Sequence, residues 1–312
     1  MDVTFRPKAV LATKFLKSVD TCDVFVANIA DRKQTARIMG VLTKLCPMEN
    51  LNHLKRIRGA QENGGSLQIV LCQPKKFGIA IQESIKTIEG LGKPYLVKVP
   101  SSPPLTRKQY DEAIKYWPVN FHEDKEISLM MSENYFKESE LHDIEKYMRI
   151  AVRLADVGRE KGQLPIGAIV VNPISKEVIA EAYDLRLAGY PLQHAVMVAI
   201  DLVAHWQGAG MWSFDEEQSD FKHLANGTNE HLENVSEYLC TGYDLFVTQE
   251  PCVMCSMALL HSRIGRVFYG SALKGGALGS AYKIHCQPGF NHRYLVFSGC
   301  LQEETDKLYN NS

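Results

Sequence analysis

The chain has 312 residues, of which 45% are hydrophobic and 23% charged, with 35 Lys+Arg against 36 Asp+Glu. That length allows two domains with separate cores, and the ordinary composition excludes collagen-like, coiled-coil and wholly disordered classes. No apolar run reaches the roughly 18 residues of a membrane-spanning helix, so no membrane partner is expected.

The N-terminal stretch MDVTFRPKAVLATKF lacks the continuous apolar core of a secretory signal. A reducing compartment is expected, and the eight Cys do not read as a disulfide framework. The balanced net charge conceals an asymmetry. Residues 1–120 carry 19 Lys+Arg against 10 Asp+Glu, leaving 16 against 26 for residues 121–312. Such a split points to a polyanionic partner for the basic half. The local clusters are Lys55, Arg56 and Arg58, then the adjacent pairs Lys75–Lys76 and Arg107–Lys108.

In chain order, residues 22–30 (CDVFVANIA) predict a strand, and Asp31 caps a helix over 32–45 with Ala36, Met39, Leu42 and Leu45 at helical spacing. A strand over 66–73, a short helix over 82–89 and a strand over 94–100 complete a β-α-β-α-β order. This suggests a small α+β, ferredoxin-like domain over 1–104. Pro100, Pro103 and Pro104 then interrupt regular structure, and 105–135 reads as a linker with one short helix over 105–118.

The second domain is expected over 136–312. It opens on an amphipathic helix with Ile144, Tyr147, Met148, Ala151, Leu154 and Ala155 on one face, ended by Gly162 and Pro165. Strands 166–172 and 177–184, a helix over 194–206, strand 243–248, a helix from Pro251 and strand 266–270 follow. The order α-β-β-α-β-α-β implies a mixed sheet covered by helices. The segment 215–237, with seven acids and one Lys, reads as a flexible acidic insertion. Its sequons at Asn226 and Asn234 are chance matches in a chain with no sign of secretion.

The chemistry lies in His194 and in the run Pro251-Cys252-Val253-Met254-Cys255. Two cysteines at i, i+3 in a first helical turn bring both sulfurs within reach of one ion, and the helix N-terminus favours their thiolates. Pro251 suits the first helical position, where its missing N–H is harmless. One His opening another helix adds a nitrogen, which makes three protein ligands and an open fourth position, as in catalytic zinc sites. Alone, C-x-x-C is a weak signal, compatible also with a redox pair or with two buried thiols in a helix. His205 lies about 16 Å along its helix from His194 and cannot share the ion. His261 and His285 read as core or surface residues, and Cys240, Cys286 and Cys300 as structural thiols.

Taken with its flanks, the pattern matches the H-x-E…P-C-x-x-C signature of zinc nucleoside deaminases except at Val196. The Glu of that signature shuttles protons between zinc-bound water and the base. Valine cannot, and loss of a general acid/base costs about 10²–10⁴ in rate. No residue of the chain is therefore assigned as catalytic. Glu250, directly before Pro251, is expected to position the start of the helix.

At these residues the chain resembles a known family. LPIGAIVV, HAVM, EPCVMCSMALLHSRIGRVFYG, GGALGS and PGFNHR are similar to the tRNA adenosine deaminase branch of the cytidine-deaminase-like fold. Val in HAVM, and CDVFVANI-DRKQTARIM, LKRIRG, PPLTRKQY and WPVNFHEDK further upstream, resemble the catalytically inactive, type 3 subunits of the eukaryotic heterodimeric enzyme. The resemblance implies a three-layer α/β/α second domain and Zn²⁺ on His194, Cys252 and Cys255. It also implies a catalytic deaminase partner in a heterodimer, and tRNA held by the N-terminal domain during wobble adenosine-to-inosine conversion. The basic residues Lys55, Arg56, Arg58, Lys75, Lys76, Arg107 and Lys108 are then candidates for RNA contact, and nucleus and cytoplasm are the expected locations. Two other readings stay open: a self-sufficient deaminase with a replacement proton donor, and a zinc-stabilised RNA-binding scaffold.

Overall fold

The structure, a computed structural model, describes residues 5–59, 66–214 and 238–310, so the acidic segment 215–237 lies outside the described residues. The chain forms two compact units, Thr13–Ser128 and Met1–Ala12 together with Leu129–Ser312.

The elements run β1 (Lys8–Ala9), α1 (Thr13–Leu16), β2 (Thr21–Ile29), α2 (Thr35–Leu45), β3 (Ile57–Arg58), β4 (Leu67–Val70), α3 (Ile79–Lys86), β5 (Tyr95–Pro100), α4 (Arg107–Ala113) and α5 (Lys125–Met130). They continue with α6 (Glu138–Glu160), β6 (Gly167–Val171), β7 (Val178–Tyr183), α7 (Ala195–Trp206), β8 (Asp244–Gln249), α8 (Val253–His261), β9 (Arg266–Ser271), β10 (Leu295–Ser298) and α9 (Gln302–Asn310).

In the 13–128 unit, four antiparallel strands lie in the order β3-β4-β2-β5. With α2 and α3 as crossovers this is the β-α-β-β-α-β arrangement of the ferredoxin-like fold. Strict alternation in β2 feeds two cores. Ala27 and Ile29 pack with Ile38, Leu42 and Ile85 beneath α2 and α3. Val24 and Val26 pack on the other face with Val70, Val99, Ala113, Trp117 and Val119. That second core corrects the linker expectation for 105–135. Trp117 is wholly buried and its indole N–H donates to the Lys55 carbonyl at 2.6 Å, so the proline-flanked stretch up to Ser128 belongs to the folded unit. The two-residue β3 is too short to carry a periodic signal and escapes sequence reading.

The other unit holds a six-stranded sheet in the order β1-β10-β9-β8-β6-β7. Strands β8, β9 and β10 are parallel, while β6 and β7 are antiparallel to their neighbours. Helix α6 covers one face, burying the expected Ile144, Tyr147, Met148, Ala151, Leu154 and Ala155. Phe246, Phe268 and Phe297 stack there in register across three parallel strands, with centroids 4.7 and 5.1 Å apart. Helices α7 and α8 cover the opposite face with Val198, Ala199, Leu202, Leu259 and Leu260. Three layers result. A side chain at Gly167 would place its Cβ 2.0 Å from the Ala151 carbonyl oxygen, so only glycine lets α6 approach β6 this closely.

Strand β1, absent from the sequence expectations, pairs antiparallel with β10. His285 donates from Nε2 to the Val10 carbonyl at 2.7 Å and Lys283 donates to the Leu11 carbonyl at 2.8 Å, holding the segment in place.

Candidate metal centre

Two helices aim their N-termini at one point beyond the end of β8. His194 is the N-cap of α7 and Cys252 the N-cap of α8, both with extended backbone, while Cys255 lies in the first turn of α8. Helix α8 thus starts at Val253, and Pro251 precedes the cap instead of occupying the first helical position. The extended Cys252 leaves its sulfur beside that of Cys255. One donor atom from each of His194, Cys252 and Cys255 lies within 4.8 Å of the others, and Cys252 Sγ is 3.7 Å from His194 Nδ1. Tetrahedral zinc with bonds of about 2.0–2.3 Å separates its ligands by roughly 3.6 Å. The donor set and its spacing therefore fit such an ion.

The electrostatics agree. The Cys255 thiol donates to Cys252 and holds it as a thiolate, its pKa pulled down to about 3, with His194 assisting against burial. The same hydrogen bond and burial push Cys255 well up. One proton is shared between two sulfurs, and a dication displaces it.

The three donors open onto a cavity of about 80 Å³ lined also by Ile166, Asp184, Arg186, Val196, Val247, Glu250 and Leu273. Val196 stands in the second helical position of α7, is buried, and lines the same cavity as the three donors. Two carboxylates line the cavity. Asp184, fully buried, accepts from the Arg186 Nε at 2.9 Å and from the backbone N–H of Arg186 and Ala195. It ties down the first turn of α7, a role that sequence reading missed; its signal is an acid closing the strand EVIAEAYD two residues before Arg186.

Glu250 corrects another expectation. Its carboxylate accepts from the backbone N–H groups of Leu273, Leu278 and Ser280 at 3.1, 2.9 and 3.0 Å, and from the Ser280 hydroxyl. It anchors the 273–280 loop and not the helix start. Gly276 packs so closely that a Cβ there would lie 2.2 Å from the Glu250 carboxyl carbon.

The remaining histidines and cysteines lie elsewhere. His205 Nδ1 is 3.3 Å from an Asp201 carboxylate oxygen, and His261 is the last residue of α8. Burial pushes the Cys240 thiol up to about 12, raises that of Cys300, and keeps both inert. Among the basic candidates, Arg56 turns inward and donates to the Leu42 and Cys46 carbonyls at 2.9 and 2.7 Å, capping the C-terminus of α2. Arg58 donates to Gln68 and to the Tyr116 carbonyl and lies over the Trp117 ring. Lys76 pairs with Glu49 and Arg107 with Asp111. Lys55, Lys75 and Lys108 are exposed.

A three-layer fold with a His-Cys-Cys cluster at two helix N-termini defines a domain of the cytidine-deaminase-like class with a candidate metal centre. Residues 141–271 match the model of the cytidine and deoxycytidylate deaminase zinc-binding region. Residues 22–117 match that of the tRNA-specific adenosine deaminase TAD3 N-terminal domain. A probable inactive tRNA-specific adenosine deaminase-like protein 3 of Danio rerio is 38% identical over 98% of this chain and 95% of its own. The Homo sapiens protein of the same name is 39% identical over 95% and 89%. The tRNA-specific adenosine deaminase subunit tad3 of Schizosaccharomyces pombe is 34% identical over 80% and 75%. The chain belongs to the TAD3 family of tRNA-specific adenosine deaminase subunits and their probable inactive animal counterparts.

Proposed function

We propose that this chain is the non-catalytic, tRNA-holding subunit of a heterodimeric deaminase that converts wobble adenosine to inosine. The observation that carries the reading is the cavity itself. It keeps a complete His194-Cys252-Cys255 donor set, has Val196 where a proton shuttle would stand, and commits both lining carboxylates to fixed donors. A proton shuttle must be free to exchange its proton with water and base. Asp184 and Glu250 instead hold α7 and the 273–280 loop, which disfavours the self-sufficient deaminase. Zinc in such a site contributes folding free energy and Lewis acidity. Here His194, Cys252 and Cys255 would hold it, joining α7 to α8, and the Lewis acidity goes unused.

A second chain of the same fold supplies the chemistry. The exposed Val253 and the half-buried Met254 and Met257 give α8 an apolar outer side suited to a subunit contact. Residues 13–128 carry 18 Lys+Arg against 12 Asp+Glu, a balance suited to the phosphate backbone of a folded RNA.

The test is inosine formation on a tRNA transcript by this chain, by a catalytic deaminase subunit, and by both. Activity is expected only with both. Inosine produced by this chain alone sinks the proposal, as does an unchanged rate when it is added to its partner.

A further inference from the structure

We infer that the open end of the four-stranded sheet, formed by Arg58, Gln68, Asn28 and Tyr95, is a contact for single-stranded RNA, in which an unstacked base lies on the Tyr95 ring. The inference rests on the tRNA-holding role above and adds where, and by what chemistry, that unit grips a looped-out nucleotide.

Alternation along the strands isolates the patch. On the face turned away from α2 and α3, β2 presents Cys22, Val24 and Val26, and β5 presents Val99 and Val97, all under the cover of Ala113, Trp117 and Val119. The next residues in the same pattern change character. Beyond Val26 comes Asn28, beyond Val70 comes Gln68, and beyond Val97 comes Tyr95, while Arg58 pairs with Gln68 on β3. The face thus turns polar where the cover of Ala113, Trp117 and Val119 ends, and Asn28 and Tyr95 are exposed there.

The four side chains form one hydrogen-bonded row. Arg58 Nε donates to Gln68 Oε1 at 2.5 Å, Gln68 Nε2 donates to the Tyr95 hydroxyl at 2.6 Å, and that hydroxyl donates to Asn28 Oδ1 at 3.0 Å. Tyr95 starts on the edge strand and its hydroxyl reaches a residue of β4, two strands away. The ring therefore lies across β2, fixed at its tip. Tyr95 is 36% exposed and Tyr116, whose carbonyl accepts from Arg58 Nη1, is 37% exposed.

The donor arithmetic leaves Asn28 Nδ2 and Arg58 Nη2 without a partner among the described residues. A tethered ring flanked by unused N–H donors matches a nucleotide: a π face to stack, carbonyl or ring-nitrogen acceptors, and a phosphate. Stacking on aromatic residues is how single-stranded RNA is held without sequence preference. The positive balance of the unit, with Lys55 and Lys115 exposed in the segments that carry Arg58 and Tyr116, selects a polyanion over an apolar protein surface.

The experiment measures binding of the full-length chain to a fluorescein-labelled tRNA transcript by anisotropy, across a salt series. Tyr95→Ala is expected to weaken binding about five- to a hundred-fold with an unchanged salt slope, because stacking releases no counterions. Tyr95→Phe, which keeps the ring, stays within a few-fold of wild type. Asn28→Asp is nearly isosteric, keeps the acceptor for Tyr95 and replaces the free donor with a negative charge. It is expected to weaken binding about tenfold with an unchanged melting temperature, which separates recognition from folding. If wild type binds in a salt-dependent way and both Tyr95→Ala and Asn28→Asp match it, the patch is not an RNA contact and the tRNA-holding role survives. If wild type binds no tRNA, with or without a catalytic partner, that role fails and the patch with it. Unchanged RNA affinity together with weakened retention of the deaminase partner assigns the row to a protein contact and overturns the inference.

Discussion

Glu250 is the residue whose replacement discriminates most sharply between a chemical and a structural reading of the cavity. The side chain is 1% exposed, and each carboxylate oxygen accepts two hydrogen bonds. Glu250→Gln preserves its shape. With the new amide nitrogen in place of Oε2, the Ser280 hydroxyl can turn to accept, but the Leu273 N–H then faces another donor. In the opposite orientation two backbone N–H groups, those of Leu278 and Ser280, are opposed. The smaller penalty is one lost hydrogen bond to a charged acceptor plus one orphaned N–H, about 2–3 kcal/mol. For a domain of this size that lowers the melting temperature by about 4–12 °C. Circular dichroism melts of the zinc-loaded full chain measure it, with inosine assays of the chain alone and with its partner run beside them. A fall below about 1 °C would refute the anchoring role. A variant that melted normally yet abolished a deaminase activity of the isolated chain would identify Glu250 as the replacement proton donor.

Further outcomes are equally direct. Arg56→Ala should lower stability by about 1–3 kcal/mol in urea unfolding, because the α2 carbonyls lose a charged donor, whereas Lys55→Ala should stay within about 0.5 kcal/mol and lower the salt slope of tRNA binding by about one. Equal stability losses would show that burial does not sort these cations. Cys255→Ser, or chelation of the wild type, should remove zinc measured by atomic emission and lower the melting temperature together; a chain that melts identically with and without metal has no structural zinc. Val196→Ala should reduce stability by about 1 kcal/mol and leave inosine formation by the pair unchanged; a loss of that activity at unchanged stability gives Val196 a chemical role. Burial depresses the pKa of His285 below 6.5, with Lys283 adding to the effect and Glu250 opposing it. The unfolded chain therefore binds the extra proton, and the contribution of His285 to stability is complete above about pH 6.5 and lost as pH falls below it. His285→Gln should flatten the fall in stability between pH 7 and 5.5, and an unchanged slope rules that out.

The parts of this molecule legible in its sequence are those whose signal is local. Ile144, Tyr147, Met148 and Ala151 announce the buried face of α6 by spacing alone, and strands β2, β6 and β8 by their alternating or continuous apolar runs. His194, Cys252 and Cys255 are readable as candidate donors because each lies at the cap or in the first turn of a helix, and the structure brings their donor atoms within 4.8 Å of one another. What escaped was non-local. Two-residue β1 exists because β10 and His285, some 275 residues away, supply its partners. The folded status of 105–128 depends on Trp117 reaching the Lys55 carbonyl. Charge counting put Arg56 among the RNA candidates, since a guanidinium that caps a helix and one that faces solvent read alike in a sequence. In the sequence Glu250 reads as part of the helix next to it, although its partners lie up to 30 residues downstream.

The position of β1 changes what a truncation means. Residues 13–128 are spliced into the deaminase-like unit between its first strand and α6, and both of their connections return to the same body. Cutting the chain after residue 128 would also strip β1 from the sheet. That would leave the backbone of β10 as a bare edge open to intermolecular pairing, and would remove the carbonyls that His285 and Lys283 hold. An inactive, aggregating fragment from such a cut would report on edge exposure and not on RNA. An excision of residues 13–128 that keeps residues 1–12 leaves β1 paired with β10, as the removal of an inserted domain requires.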